Sequence, residues 1–132
     1  TRYHEGQEYT EHHDGTRLTT NPDDIRFMAM GGQRVATILV YLNDVARGGA
    51  TAFPQLGVEV KPKRGRCLLF FPGHVDGRRD ERTLHAAKPA VDEKWVTQIW
   101  VRAHASPILS LSPPRWPKGC SGPADLLTLV FG

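Results

Sequence analysis

Three stretches limit what this chain can fold into: Arg34–Leu42 (RVATILVYL), Cys67–Phe71 (CLLFF) and Lys94–Arg102 (KWVTQIWVR). Each is rich in β-branched and aromatic residues and too short or too uninterrupted to read as an amphipathic helix. Turn residues bound them, with Gly31-Gly32 and Asn43-Asp44 around the first and Gly65 and Pro72-Gly73 around the second. Arg34–Leu42 reads as a strand buried on both faces, because apolar side chains occupy consecutive positions. Shorter strands fit at Tyr9–Asp14, Ala50–Phe53, Gly57–Val60 and Thr83–Ala87, with further turns at Gly48-Gly49 and Asp76-Gly77. Many short strands, regular turns and almost no helical periodicity predict a mainly β sandwich or jelly roll.

The chain has 132 residues, enough for one domain and one modest core. Every serine lies after His104, and so do Pro107, Pro113, Pro114, Pro117 and Pro123. That shift divides the chain into a core over residues 1–104 and an irregular Pro/Ser-rich tail over residues 105–132, whose last apolar run, Leu126 to Phe131, fits at most a stray strand. The net charge of +3 is too small to indicate a nucleic-acid partner. The one basic run, Lys61, Lys63, Arg64 and Arg66, lacks interleaved aromatics and reads as a charged hairpin turn. No apolar stretch is long enough for a membrane span. Two cysteines exclude a disulfide scaffold and a four-cysteine zinc module, and Cys67 reads as a small core residue with Cys120 an improbable partner. The first residues already read as structured sequence, so we expect a piece of a longer chain.

Six histidines invite a search for a metal site. His12 and Asp14 form an H-x-D triplet; on a strand their side chains project together while His13 faces away. His85, on a strand among apolar neighbours, is the candidate third ligand. Two imidazoles and one carboxylate on one face leave open positions and suit non-haem Fe(II) oxygen chemistry. H-E-x-x-H is absent, so the zincin pattern is excluded. H-x-D alone is a weak signal that chance often produces, and the blander reading makes His12 and His13 solvated surface residues and His85 a satisfied, half-buried one. Lys94 adds weight, since an ammonium entering a core strand beside Trp95 asks for an anionic partner such as the carboxylate of a bound acid. Tyr3 offers a hydroxyl to the same anion. A snorkelling lysine is the alternative.

These residues fall in an ordered series: Tyr3-x-x-Gly6-Gln7-x-Tyr9-x-x-His12-x-Asp14, Gly31-Gly32-Gln33-Arg34-Val35-Ala36-Thr37, Tyr41-Leu42-Asn43-Asp44, Gly48-Gly49-Ala50-Thr51-x-Phe53-Pro54, Gly65-x-x-Leu68-Leu69-Phe70, Asp76-Gly77, Leu84-His85-Ala86 and Lys94-Trp95. In this the chain resembles the prolyl 4-hydroxylase-like branch of the Fe(II)/2-oxoglutarate-dependent dioxygenases, from Arg2 to about Val101. The resemblance implies a double-stranded β-helix, here lacking the N-terminal supporting elements. It implies His12, Asp14 and His85 as ligands of Fe(2+), and Lys94 as the partner of the distal carboxylate of 2-oxoglutarate. Tyr3 is implied as a second contact to the cosubstrate, with Thr51 either lining the same pocket or holding its strand. Arg34 and Trp100 read as structural. The implied activity is 4-hydroxylation of a peptidyl proline, with 2-oxoglutarate and O2 consumed, succinate and CO2 released, and L-ascorbate keeping the iron reduced. A proline-containing peptide or protein is the implied partner, and the endoplasmic reticulum or secretory pathway the compartment suggested by resemblance alone. The family commonly carries an aromatic between the metal-binding His and Asp and another just after Asp; here those positions are His13 and Gly15. Another substrate for the same chemistry, or a peptide-binding module without turnover, are the competing readings.

Overall fold

The computed structural model describes residues 1–74 and 76–105. Its eight strands are β1 (Arg2–Tyr3), β2 (Tyr9–His12), β3 (Arg34–Tyr41), β4 (Thr51–Phe53), β5 (Val58–Val60), β6 (Cys67–Phe70), β7 (His85–Ala87) and β8 (Lys94–Arg102). They form two four-stranded antiparallel sheets, ordered β1-β8-β3-β6 and β2-β7-β4-β5. This is the jelly-roll arrangement expected from the pattern of short strands. The tail beyond residue 105, including Cys120, lies outside the described residues.

The long apolar runs form the centre of the larger sheet. β3 pairs with β8 along its length, with Tyr41 opposite Val96 and Thr37 opposite Trp100, and with β6 on its other side. Period-2 geometry then sorts the side chains. Tyr3, Leu39, Tyr41 and Val96 point between the sheets and pack with Ala87 and Ala90. Ile38, Leu69 and Ile99 lie in one cross-strand row on the opposite face, where Leu69 and Ile99 are exposed.

That second face corrects two sequence expectations. β3 is buried on one face only, because alternate positions are merely half-buried. Cys67 is exposed rather than a core residue, since it shares the outward face with Leu69 while Phe70 points inward. The basic segment is not a hairpin turn either. β5 belongs to one sheet and β6 to the other, so Lys61–Arg66 carries the chain across between sheets.

One helix, α1 (Pro22–Ala29), escaped the pattern analysis because none of its residues is buried. Its start nevertheless follows the rules of helix initiation. The Asn21 side chain accepts from the Asp23 amide at 2.8 Å, Pro22 occupies the first turn, and Asp23 and Asp24 sit at the positive end of the helix dipole. Arg102 on β8 clips it to the sheet by donating to the carbonyls of Phe27 and Gly32 at 2.9 and 2.8 Å.

Candidate metal centre

His12 and His85 face each other directly across the β2–β7 ladder, with ring centroids 4.3 Å apart. Strand β2 ends at His12, so Asp14 lies in the following bend rather than on the predicted strand. The bend still brings its carboxylate back to both imidazoles: Asp14 Oδ1 lies 3.7 Å from His12 Nε2 and 3.8 Å from His85 Nε2. One ligand atom from each residue falls within 4.8 Å of the others, the only such group of three among the described residues. His13 turns elsewhere, its Nε2 3.2 Å from Glu81 Oε2.

The donor set fits a divalent ion for a reason beyond proximity. His12 Nδ1 lies 2.7 Å from the Thr10 carbonyl and His85 Nδ1 lies 2.9 Å from the Thr83 carbonyl. A carbonyl oxygen only accepts, so each Nδ1 must carry the proton and each Nε2 keeps its lone pair toward the centre. Burial holds the His85 imidazolium below its ordinary pKa, which keeps that ligand neutral. Phe53 stacks on His85 and Phe70 meets it edge-on, fixing the ring plane.

The carboxylate is held as firmly. Thr37 Oγ1 donates to Asp14 Oδ2 at 2.6 Å and Trp100 Nε1 donates to the same oxygen at 3.2 Å. Arg34, stacked on the Trp100 ring at 4.4 Å, donates to the Asp14 backbone carbonyl at 3.3 Å. Arg34 and Trp100, read from sequence as structural, thus touch the site. Thr37 was missed altogether. No local pattern could reveal it, since it lies 23 residues from the aspartate it contacts.

Lys94 is buried, with 1% of its surface exposed. Its Nζ donates to the Gly49 carbonyl at 2.8 Å and lies 4.5 Å from the centre of the Tyr3 ring. It is not snorkelling. Among the described residues no carboxylate pairs with it, and desolvation lowers its pKa to about 8. Tyr3 shares its burial, which raises the pKa of the phenol. Gly48 and Gly49 both adopt left-handed φ, and a Cβ on Gly49 would approach Lys94 Cδ to 3.0 Å, so glycine lets the carbonyl reach the ammonium. Thr51, two residues on, gives its hydroxyl to a 2.7 Å hydrogen bond with Tyr41 Oη. Tyr41 is the second residue missed; its phenol is entirely buried, which an apolar strand pattern does not announce.

The arrangement therefore combines two imidazoles and a carboxylate, aimed at one point, with a buried ammonium whose polar and aromatic partners among the described residues are a carbonyl and a ring. The family model for the 2OG-Fe(II) oxygenase superfamily matches residues 1–102. The chain belongs to that superfamily. As a 2OG-Fe(II) oxygenase it is 40% identical over 100 residues to prolyl 4-hydroxylase subunit alpha-1 of Rattus norvegicus, covering 75% of this chain and 18% of that protein. It is 34% identical over 122 residues to prolyl 4-hydroxylase 2 of Arabidopsis thaliana, covering 76% and 39%. Its fold matches the viral collagen prolyl hydroxylase of Paramecium Bursaria Chlorella virus-1, solved as a 2OG complex, with a TM-score of 0.67 and 36% identity over 77% of this chain and 55% of that one. The matched curated relatives are longer proteins, of which the chain spans between 18% and 42%.

Proposed function

We propose that this oxygenase domain hydroxylates peptidyl proline at C4, with His12, Asp14 and His85 holding Fe(2+) and Lys94 receiving the distal carboxylate of 2-oxoglutarate. The observation that carries the proposal is the coexistence of the convergent triad with a buried, carboxylate-free ammonium, in a chain whose relatives bear prolyl 4-hydroxylase names. When bound, iron and 2-oxoglutarate supply the oxidation: one atom of O2 enters succinate as CO2 leaves, and the other is inserted into a C–H bond of the substrate.

The chain's own residues provide the setting. The Thr10 and Thr83 carbonyls fix the imidazole tautomers, and the inward Phe53 and Phe70 rings exclude water from beside His85. Lys94 presents up to three N–H donors, one already committed to Gly49, and a carboxylate arriving there exchanges a desolvated lone charge for an ion pair. Tyr3 supports that ammonium through its ring. The Thr51 hydroxyl, paired with Tyr41 and two residues beyond Gly49 in the chain, is a further candidate contact to the cosubstrate. Ascorbate would serve as the reductant that restores ferrous iron between turnovers.

At the substrate side, a Cβ on Gly15 would come within 2.7 Å of the Pro72 carbonyl, so the aromatic common there in the family has no room in this backbone. His13, in the other customary aromatic position, is held by Glu81, which Arg79 also grips. The two positions where the family commonly carries rings thus hold a glycine and a histidine paired with Glu81.

The test is incubation of the protein with Fe(2+), 2-oxoglutarate and proline-rich peptides. Succinate formation matched by one added oxygen on proline is expected. Succinate matched by oxygen on another residue would retain the chemistry and overturn the substrate.

A further inference from the structure

We infer that Thr37 and Trp100 are positioning residues that restrict Asp14 to one metal-facing oxygen. The inference rests on the iron-site reading above and adds to it what the carboxylate's second oxygen does.

Asp14 is almost fully buried, and its two oxygens have different surroundings. Oδ1 faces the Nε2 atoms of His12 and His85. Oδ2 accepts from the Thr37 hydroxyl at 2.6 Å and from the Trp100 indole at 3.2 Å. An ionised carboxylate oxygen offers two lone-pair sites in its plane, and two donors occupy them. Turning Oδ2 toward a metal would break both charge-assisted bonds, of which the one from Thr37 is fully buried and would leave its hydroxyl unsatisfied.

The clamp is itself held. Thr37 is 1% exposed in the middle of β3, and Trp100 stands opposite it on β8, so the two donors are locked by the register of the β3–β8 ladder. The Arg34 guanidinium lies between the Trp100 ring at 4.4 Å and the Phe27 ring of α1 at 5.1 Å, and its Nη1 reaches the Asp14 carbonyl. Arg34 Nε is buried with no hydrogen-bond partner, as expected of a side chain placed for stacking rather than for ion pairing. The indole is therefore fixed from behind while its N–H points at Oδ2.

The consequence is a count of coordination positions. Three single-atom donors leave three positions of an octahedral ion open; a second carboxylate oxygen would take one of them. That position is what a cosubstrate chelating through two atoms and a further small reactant both need.

The experiment loads Mn2+ into the wild-type chain and into Thr37→Ser, Thr37→Val and Thr37→Val/Trp100→Phe, then measures affinity and the water-proton relaxation of the bound ion without 2-oxoglutarate. Circular dichroism confirms that each protein is folded. Wild type and Thr37→Ser, which keeps the hydroxyl, are expected to show about three exchangeable water positions, and the double variant about two at equal or tighter affinity. Thr37→Val keeps the shape without the hydroxyl and separates packing from hydrogen bonding; with the indole donor still in place, it is expected to fall between wild type and the double variant. Equal relaxation in all four proteins, or loss of Mn2+ from a folded variant, overturns the inference. Failure of the wild type to bind Mn2+ overturns the iron-site reading instead and takes this inference with it.

Discussion

Lys94 and Tyr3 are cross-strand partners on β8 and β1, and the ammonium of one lies 4.5 Å from the ring centre of the other. Under the proposed function the pair receives an anion. The ring tolerates a buried cation without neutralising it, so a carboxylate finds a charge that burial has stripped of water.

From this follows a pH dependence. Burial lowers the Lys94 pKa from 10.5 to about 8. The folded state therefore disfavours the charged form, and without a bound anion stability rises as pH climbs from about 8 toward 10.5, where the folded chain has lost a proton the unfolded chain still holds. If Lys94 receives 2-oxoglutarate as proposed, binding requires the ammonium, so affinity falls by up to about tenfold per pH unit above about pH 8. Calorimetric titration of the Mn2+-loaded protein at pH 7 and pH 9, with thermal melts at both, tests the two opposite slopes.

Substituting the same residue separates folding from binding. Lys94→Met removes a buried charge whose desolvation costs on the order of 3 kcal/mol and orphans the Gly49 carbonyl, a loss of about 1–3 kcal/mol. These nearly offset, so urea midpoints stay close to wild type. Affinity for 2-oxoglutarate falls by at least about 30-fold, because the cosubstrate's carboxylate loses its ionic partner.

The two histidines proposed as ligands differ in their structural weight. His85 is 4% exposed and packed against Phe53 and Phe70, whereas His12 is half-buried. Both His12→Ala and His85→Ala abolish metal-dependent succinate formation. His85→Ala additionally lowers unfolding free energy by roughly 2–3 kcal/mol, and His12→Ala by about 1 or less, as cavity formation scales with burial. Chemical denaturation of the apo-proteins measures the difference.

Tyr41 and Thr51 behave as one unit. Tyr41→Phe strands the Thr51 hydroxyl and Thr51→Val takes away the phenol's closest partner, each costing about 1–2 kcal/mol. The double variant loses less than the sum, since neither polar group is left behind. A double-mutant cycle in urea gives the coupling directly.

The sequence carried the chemistry more plainly than the surroundings of the chemistry. The three long strands were legible because β-branched runs and their Gly, Asn and Pro borders act locally, and β8 begins and ends where the pattern placed it. His12 and Asp14 were legible as an H-x-D pair, His85 and Lys94 as polar residues on apolar strands, and the family resemblance joined them into one candidate site. Cys67 misled because a continuous apolar run conceals which alternate residues face outward. Helix α1 went unseen because its signals are all in its cap and none in a buried stripe. Thr37, Tyr41 and Trp100 matter through contacts made across the sheets, and spacing along the chain does not encode those partners.

The two backbone carbonyls that anchor the imidazoles have a kinetic meaning as well. With both rings already oriented and the aspartate already pinned, a cation arriving at the proposed site would find its cradle assembled, so the expected speed of capture is set by how fast the ion sheds its hydration shell rather than by any rearrangement of the polypeptide.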